Sequence, residues 1–228
     1  MKHIVVLTGA GMSAESGIAT FRDSGGLWEQ YKVEDVATPE GFAKNPELVL
    51  EFYNRRRKDA AKAEPNDGHI GLAEMEKDYR MSVITQNVDD LHERAGSTDV
   101  LHLHGELMKV RSTKNPDMIY ELTPDKLEIN IGDTGEDGAQ LRPHIVWFGE
   151  AVPMIEKAMN IVETADILVI IGTSLNVYPA ASLINFVKRG TPIYLIDPNL
   201  VNTVRPDIHF IRKGASEGVR ELQNLLRG

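Results

Sequence analysis

Four short apolar runs constrain this chain most: Ile4–Leu7, Met81–Thr85, Ile167–Ile171 and Ile193–Ile196. Each stops abruptly at small or polar residues, respectively Thr8-Gly9-Ala10-Gly11, Gln86-Asn87, Gly172-Thr173-Ser174 and Asp197-Pro198-Asn199. Continuous apolar runs of this length, rich in β-branched residues, read as strands buried on both faces of a parallel sheet. Helical patterns lie between them: Glu47–Ala63, His69–Lys77 after a Pro-Asn-Asp-Gly breaker, Val152–Thr164 with Met154, Ala158, Ile161 and Val162 on one face, then Tyr178–Lys188 and Ser216–Leu226. The alternation predicts an α/β fold, a Rossmann-like, doubly wound parallel sheet with helices on both faces.

Two segments break the alternation. Ser24–Asp67 holds polar loops and helices without a strand signal. Met108–Pro143 mixes turn formers with short alternating pieces, Met118–Leu122 and Lys126–Ile131, that read as small antiparallel strands. The expected organisation is one domain over residues 1–228, with a large lobe of approximately 1–23, 68–107 and 144–228. A smaller inserted lobe would comprise approximately 24–67 and 108–143, and the cleft between lobes is the expected ligand site.

Composition removes several classes. With 25 Lys and Arg against 34 Asp and Glu, the formal charge is −9, the wrong sign for broad nucleic-acid binding. There is no cysteine, so disulfides, thiolate metal sites and cysteine nucleophiles are excluded. The longest aliphatic stretch, Ile167–Ile171, is far short of the ~20 residues of a membrane span. Met1–Leu7 reads as a strand, not as a signal peptide, and a cytoplasmic monomer is the expectation.

Gly9-x-Gly11-x-x-Ala14 follows the first run directly and fits the G-x-G-x-x-G/A dinucleotide pattern, in which glycines let backbone amides approach a pyrophosphate. No acidic residue ends a second strand ~20 residues on, where a dehydrogenase would place its ribose carboxylate. Instead the chain continues through Phe21, Arg22 and Trp28. That continuation reads as a lid over a cofactor that is cleaved under cover.

The polar stretch Thr85–His92 sits at a strand's carboxyl end, where open α/β sheets bind ligands. Gln86, Asn87 and Asp89 can hydrogen-bond a carboxamide or a ribose; Asn87 or Asp89 can equally cap the next helix. His102 and His104, two apart, share a face if the segment is a strand. A metal pair would need a third ligand, and none stands at a recognisable spacing. His104, before Gly105, is the better general base, and a hydrogen-bonded structural role is the alternative for either histidine. On the Glu47–Ala63 helix, Tyr53 and Arg56 are three apart and share a face. A phenol and a guanidinium together can grip a carboxylate. Arg55 and Arg57 read as a solvated basic face.

Taken in order, several motifs resemble the sirtuins, NAD-dependent protein-lysine deacylases. They are Gly9–Ile18 with Phe21-Arg22-Asp23, Thr85–Gly96, His104-Gly105-Glu106-Leu107, Leu141–Glu150, Gly172-Thr173-Ser174 and Val177–Ala180, and they run along almost the whole chain. The resemblance implies NAD as cofactor and acyl-lysine proteins or peptides as substrates, without nucleic acid or membrane partners. It implies that the Gly9–Trp28 loop, with Gly9, Ala10, Gly11, Ala14, Glu15, Thr20, Phe21, Arg22 and Trp28, holds the pyrophosphate and covers the nicotinamide ribose. Gln86, Asn87, Val88 and Asp89 would hold the ribose and carboxamide, with Asn87 and Asp89 counted as catalytic beside His104. Gly172, Thr173 and Ser174, then Asp197, Pro198, Asn199 and Ala215, would line the phosphate and adenosine side.

Val146, Phe148, Gly149 and Glu150 would form the platform onto which a peptide adds as a strand. The implied reaction joins the acyl oxygen to the nicotinamide ribose, releases nicotinamide, and uses His104 to deprotonate a ribose hydroxyl. It leaves free lysine and O-acyl-ADP-ribose. Tyr53 and Arg56 resemble the Tyr-x-x-Arg pair of the class III members that remove succinyl, malonyl or glutaryl groups.

Sirtuins usually carry two Cys pairs holding a structural, non-catalytic zinc in the interval that is here Met108–Pro143. This chain has none, so no metal is expected. A small sheet pinned by Ile119, Tyr120, Leu122, Leu127, Ile129 and Ile131 is expected to stand in for it. The competing readings on the same fold are an ADP-ribosyltransferase or NAD hydrolase and a non-catalytic NAD sensor.

Overall fold

The computed structural model describes residues 1–20, 27–201 and 205–227. In chain order the elements are β1 (His3–Thr8), α1 (Gly11–Ala14), α2 (Leu27–Gln30), α3 (Val33–Val36), α4 (Pro39–Lys44), α5 (Pro46–Lys62), α6 (Asp67–Met75), β2 (Arg80–Thr85), α7 (Leu91–Ala95), β3 (Val100–His102) and β4 (Gly105–Ser112). There follow β5 (Ile119–Glu121), β6 (Leu141–Ile145), α8 (Ile155–Glu163), β7 (Ile167–Ile171), a 3-10 helix (Ala180–Asn185), β8 (Ile193–Ile196), β9 (Ile208–Ile211) and α9 (Ala215–Arg227).

The four apolar runs are β1, β2, β7 and β8, all in one parallel sheet of order β3-β2-β1-β7-β8-β9. Alternate residues of β1 feed two cores. Val5 and Leu7 pack with Ala158 and Val162 of α8 and with Leu183 and Ile184 of the 3-10 helix. Ile4 and Val6 pack on the other face with Leu72 and Met75 of α6 and with Val219 and Leu222 of α9. All four of these β1 side chains are fully buried, each contributing roughly 1.5–3 kcal/mol of transfer free energy. Burial on both faces explains why the sequence shows a run and not an alternation. Two strands escaped the sequence reading. β3 is three residues long, and β9 is an edge strand whose His209 and Phe210 face solvent, so neither carries a continuous apolar signal.

The chain leaves β1 for β2 on one side and later returns to β7 on the other. This places a topological switch between β1 and β7, where such sheets open a crevice. The Pro-Asn-Asp-Gly breaker is a helix start: Asn66 caps α6, and its amide also donates to the Met12 carbonyl at 2.9 Å, tying α6 to the first loop. The Tyr178–Lys188 pattern closes as a 3-10 helix over Ala180–Asn185 only.

The second sheet is antiparallel, of order β5-β4-β6, and α5 lies across it. Val49, Phe52 and Tyr53 of α5 pack against Leu107, Ile145 and Trp147, and Leu50 packs with Val110 and Ile129. Met118–Leu122 supplies β5 as expected. Lys126–Ile131 does not form a strand. It is fastened by side chains: Asn54 Nδ2 donates to the Ile129 carbonyl at 2.9 Å, and the Ile129 amide donates to Asn54 Oδ1 at 3.0 Å. One side-chain amide thus replaces the neighbouring strand. The apolar set expected to pin this lobe is divided accordingly. Ile129 is buried and Tyr120 and Leu122 are packed, whereas Ile119 and Ile131 are about half exposed.

Arg57 also departs from its expected place. It is not on a solvated face but fully buried. Its Nε donates to the Leu107 carbonyl at 2.6 Å, and Nη1 donates to Leu127 carbonyl at 2.7 Å and Asn54 Oδ1 at 2.8 Å. Arg55 is exposed, as expected. Among the described residues, no helix is long and apolar enough to cross a membrane.

Candidate functional site

The loops after β1 and β7 meet at the switch point. The Gly9 amide donates to the Ile171 carbonyl at 3.0 Å and the Gly11 amide to the Gly172 carbonyl at 2.9 Å. A Cβ on Gly11 would lie 2.6 Å from Gly172 Cα, so the loops close to backbone contact that only glycine permits. α1 behind the first loop is a single turn of four residues.

A cavity of about 590 Å³ opens here and runs from the sheet's carboxyl edge to α5. One end is lined by Gly9, Ala10, Gly11, Ala14, Glu15, Thr20, Gly172, Thr173 and Ser174. Asp197, Pro198 and Asn199, after β8, line the same end. Gln86, Asn87, Val88 and His104 form the middle. Tyr53, Arg56, Val146, Phe148, Gly149 and Glu150 line the far end. Residues distant in sequence, such as Gly9 and Tyr53 or His104 and Asp197, share one cavity because the two sheets meet at it.

Two expected residues do not face it. Asp89 is buried beside the cavity, where its carboxylate takes the Leu91 amide at 3.2 Å and a hydrogen bond from Ser13; burial holds its pKa above the usual carboxylate value. That is the helix-start role the sequence left open. Ala215 is buried in the core against the sheet, and its neighbour Gly214 lines the cavity instead. Phe21 and Arg22 lie outside the described residues, and Trp28 lies on α2 with its side chain outside them. Trp147, Leu200 and Gly214 line the cavity and were not singled out from sequence. Trp147 stands inside the platform stretch, but the resemblance assigns that stretch a backbone role, and nothing local marks the Trp147 indole as reaching α5.

The middle of the site is held by backbone and histidines. Asn87 Nδ2 donates to the Gly9 carbonyl at 3.0 Å and to Ser13 Oγ at 3.1 Å, linking the second loop to the first. Gln86 Nε2 donates to Thr173 Oγ1 at 3.1 Å, linking it to the third. His104 Nδ1–H donates to the Gln86 carbonyl at 3.2 Å. The neutral ring therefore carries its acceptor lone pair on Nε2. Burial pushes the His104 pKa below its ordinary 6.5, with the Gln86 carbonyl partly opposing the shift. His104 is thus an unprotonated imidazole at neutral pH.

His102 differs. Its Nδ1–H donates to the Asn87 carbonyl at 2.9 Å and its Nε2–H to Glu93 Oε1 at 2.7 Å. Burial acts against its charge, but Glu93 outweighs burial and raises the pKa. The two histidines hold consecutive carbonyls, but β3 ends at His102, and only His104 lines the cavity. They are not part of a metal cluster: among the described residues no group of three or more His, Asp or Glu could hold one. With no cysteine in the chain, the residues present do not fit the zinc of the family resemblance.

Gly105, next to His104, has φ of +85°, and a Cβ there would collide with the His144 carbonyl. At the far end, Tyr53 is buried and its pKa is pushed up to about 12, chiefly by burial, so it stays a neutral phenol. Arg56 sits on the same helix face, its pKa lowered by burial and supported by Tyr53 and Asp89.

In the platform stretch the amides are already committed. Val146 N–H donates to His104, Phe148 N–H to Ala37 and Trp147 N–H to the Glu150 carboxylate. Glu150 also grips Arg142 in two hydrogen bonds, at 2.7 and 3.1 Å, which lowers its pKa against the effect of burial.

Comparison with known proteins agrees with this arrangement. A family model described as "Sir2 family" matches residues 9–179. A protein of Bacteroides thetaiotaomicron named NAD-dependent protein deacylase is 63% identical over 230 residues, covering 99% of this chain and 98% of its own length. A solved Sir2 homologue in complex with NAD superposes with a TM-score of 0.87 at 43% identity, covering 99% of this chain and 90% of that one. A mutant Sir2 homologue bound to 2′-O-acetyl ADP-ribose gives a TM-score of 0.90 at 43% identity, covering 99% and 92%. The motif order, the crevice between β1 and β7 and the likeness over nearly the full length all agree: the chain belongs to the Sir2 family.

Proposed function

We propose that this NAD-dependent protein-lysine deacylase accepts acidic acyl groups, succinyl and malonyl, as well as acetyl, and returns them as O-acyl-ADP-ribose with free nicotinamide. The observation that carries the proposal is the single cavity. It is lined at one end by the glycine loops, in the middle by His104 and at the other end by the Tyr53–Arg56 pair. NAD, when bound, supplies the activated ribose that receives the acyl group.

The chain's own residues have separable roles. The loops around Gly9–Ala14 and Gly172–Ser174 would hold the phosphates, their Gly9, Gly11 and Gly172 amides closing the loops on neighbouring carbonyls, and Asp197 and Asn199 would lie on the adenosine side. Gln86 and Asn87, fixed to the neighbouring loops, orient the nicotinamide ribose, and Asp89 steadies Ser13 and the start of α7 from behind. His104 Nε2 takes the proton from a ribose hydroxyl, since Nδ1 is committed to Gln86. A substrate peptide lies along Val146–Gly149; with the amides of 146–148 engaged, it meets this stretch through its carbonyls and the Gly149 amide. Holding the acyl oxygen close to the ribose offsets its weak nucleophilicity.

The test is a panel of acetyl-, succinyl- and malonyl-lysine peptides with NAD, following O-acyl-ADP-ribose and nicotinamide. Peptide-dependent release of both products is expected; nicotinamide release without peptide would point to an NAD hydrolase. Arg56→Met should lower kcat/KM for succinyl-lysine at least about thirtyfold more than for acetyl-lysine. The figure follows from leaving a desolvated carboxylate without its charged partner, roughly 2–5 kcal/mol. Equal losses on both substrates would assign Arg56 to the fold.

A further inference from the structure

Tyr53 is buried, yet its only hydrogen bond among the described residues is one it accepts: Trp147 Nε1–H donates to the phenol oxygen at 3.1 Å. An indole nitrogen only donates, so the direction of this bond is fixed. The Tyr53 proton must then point away from Trp147. Tyr53 lines the acyl end of the cavity, beside Arg56 one turn further along α5.

Trp147 is itself held still. The Arg142 guanidinium stacks 3.4 Å over its ring, Glu150 clamps that guanidinium, and the Trp147 backbone amide donates to the same carboxylate at 2.8 Å. The order of support is Glu150, Arg142, Trp147, Tyr53. Its last member is a donor with no acceptor among the described residues, next to a cation, in a cavity. The chemistry that takes the Tyr53 proton beside a cation is a carboxylate.

We propose that Trp147 is a positioning residue for acyl specificity: by donating to the Tyr53 oxygen it commits the Tyr53 proton to the carboxylate of an acidic acyl group. The assignment rests on the reading of Tyr53 and Arg56 as the acyl-carboxylate site. It makes a different demand, however, because Trp147 acts only through Tyr53. An acetyl group has no carboxylate to receive the proton, so the effect belongs in the ratio between substrates.

The test uses Trp147→Phe, which keeps an aromatic ring under Arg142 and removes the N–H. Rates with succinyl- and acetyl-lysine peptides are measured for the wild type, Trp147→Phe, Tyr53→Phe and the double variant. The succinyl-to-acetyl ratio of kcat/KM should fall up to about tenfold in Trp147→Phe, carried by KM, as expected for the loss of one hydrogen bond between neutral groups. The double variant should match Tyr53→Phe, because without the phenol oxygen Trp147 has nothing to orient. A ratio that holds while both rates fall would overturn the proposal and assign Trp147 to packing. Losses that multiply in the double variant would overturn it too, since Trp147 would then act independently. If the wild type removes succinyl groups in an Arg56-dependent way and Trp147→Phe leaves the ratio unchanged, the Trp147 assignment alone fails. A wild type that removes no succinyl group overturns both readings.

Discussion

Asn54→Ala tests how a lobe without cysteine stays folded. Asn54 is buried on α5 and uses both ends of its amide on the backbone of Ile129. Its Oδ1 also receives Arg57 Nη1, which retains the Leu127 carbonyl as a second acceptor. Truncation therefore orphans one buried N–H and one buried C=O, with Ile129 itself only 1% exposed. Leaving a buried polar group unsatisfied costs about 1–3 kcal/mol, so the pair amounts to roughly 3–5 kcal/mol, and less if water follows the lost side chain. Against a total of about 5–15 kcal/mol for an ordinary domain, that is a large fraction.

Urea unfolding should show the loss in the midpoint. Hydrogen exchange should show it locally, as an Ile129 amide exchanging at least a hundredfold faster, since ~1.4 kcal/mol is a factor of ten. Asn54→Asp is the control. It keeps an acceptor for the Ile129 amide and for Arg57 and loses only the donor to the Ile129 carbonyl, so its cost should be roughly half. A midpoint shift below about 0.5 kcal/mol, with Ile129 protection unchanged, would refute the idea that this amide takes the place of a partner strand.

Four further outcomes follow from the site and the core. His104→Ala should lower turnover by about 10²–10⁴-fold while NAD binding, followed by calorimetry, persists. Because the His104 pKa lies below 6.5, wild-type kcat/KM should rise with pH through a value below 6.5 and be flat at neutrality; a limb centred above 7 would contradict the assignment. Activity should survive exhaustive chelation, and metal analysis should find no stoichiometric zinc; one tightly held zinc per chain would mean that histidines of this chain ligate a metal.

His69 and His92, buried with their rings 4.8 Å apart, should stay neutral well below their ordinary titration range. Burial pushes His69 down to about 4 and His92 also downward. A depressed cationic pKa makes the unfolded chain the better proton binder. The stability from neutral His69 is thus full above about 6.5 and is lost as pH falls toward about 4, by roughly 3 kcal/mol. Ring resonances of His69 that titrate near 6.5 in the folded protein would exclude this.

The sequence by itself determined the features that depend on local pattern. Burial on both faces forces unbroken apolar runs, so β1, β2, β7 and β8 were legible, as were the glycines that let the loops after β1 and β7 touch. His104 was legible because it lies within a run of motif residues. The tertiary structure alone decided matters that turn on which groups meet across the chain. Arg55, Arg56 and Arg57 look alike in sequence, but α5 turns about 100° per residue, which sends Arg55 to solvent, Arg56 to the cavity and Arg57 to carbonyls 50 and 70 residues away. The alternation in Lys126–Ile131 predicts a strand. Whether such a segment becomes one depends on a partner backbone, and here the partner is the side chain of Asn54. Asp89 and Ala215 sit within cavity-forming stretches yet face inward, and Trp147 reaches Tyr53 across 94 residues, because facing is set by packing between elements and not by proximity along the chain.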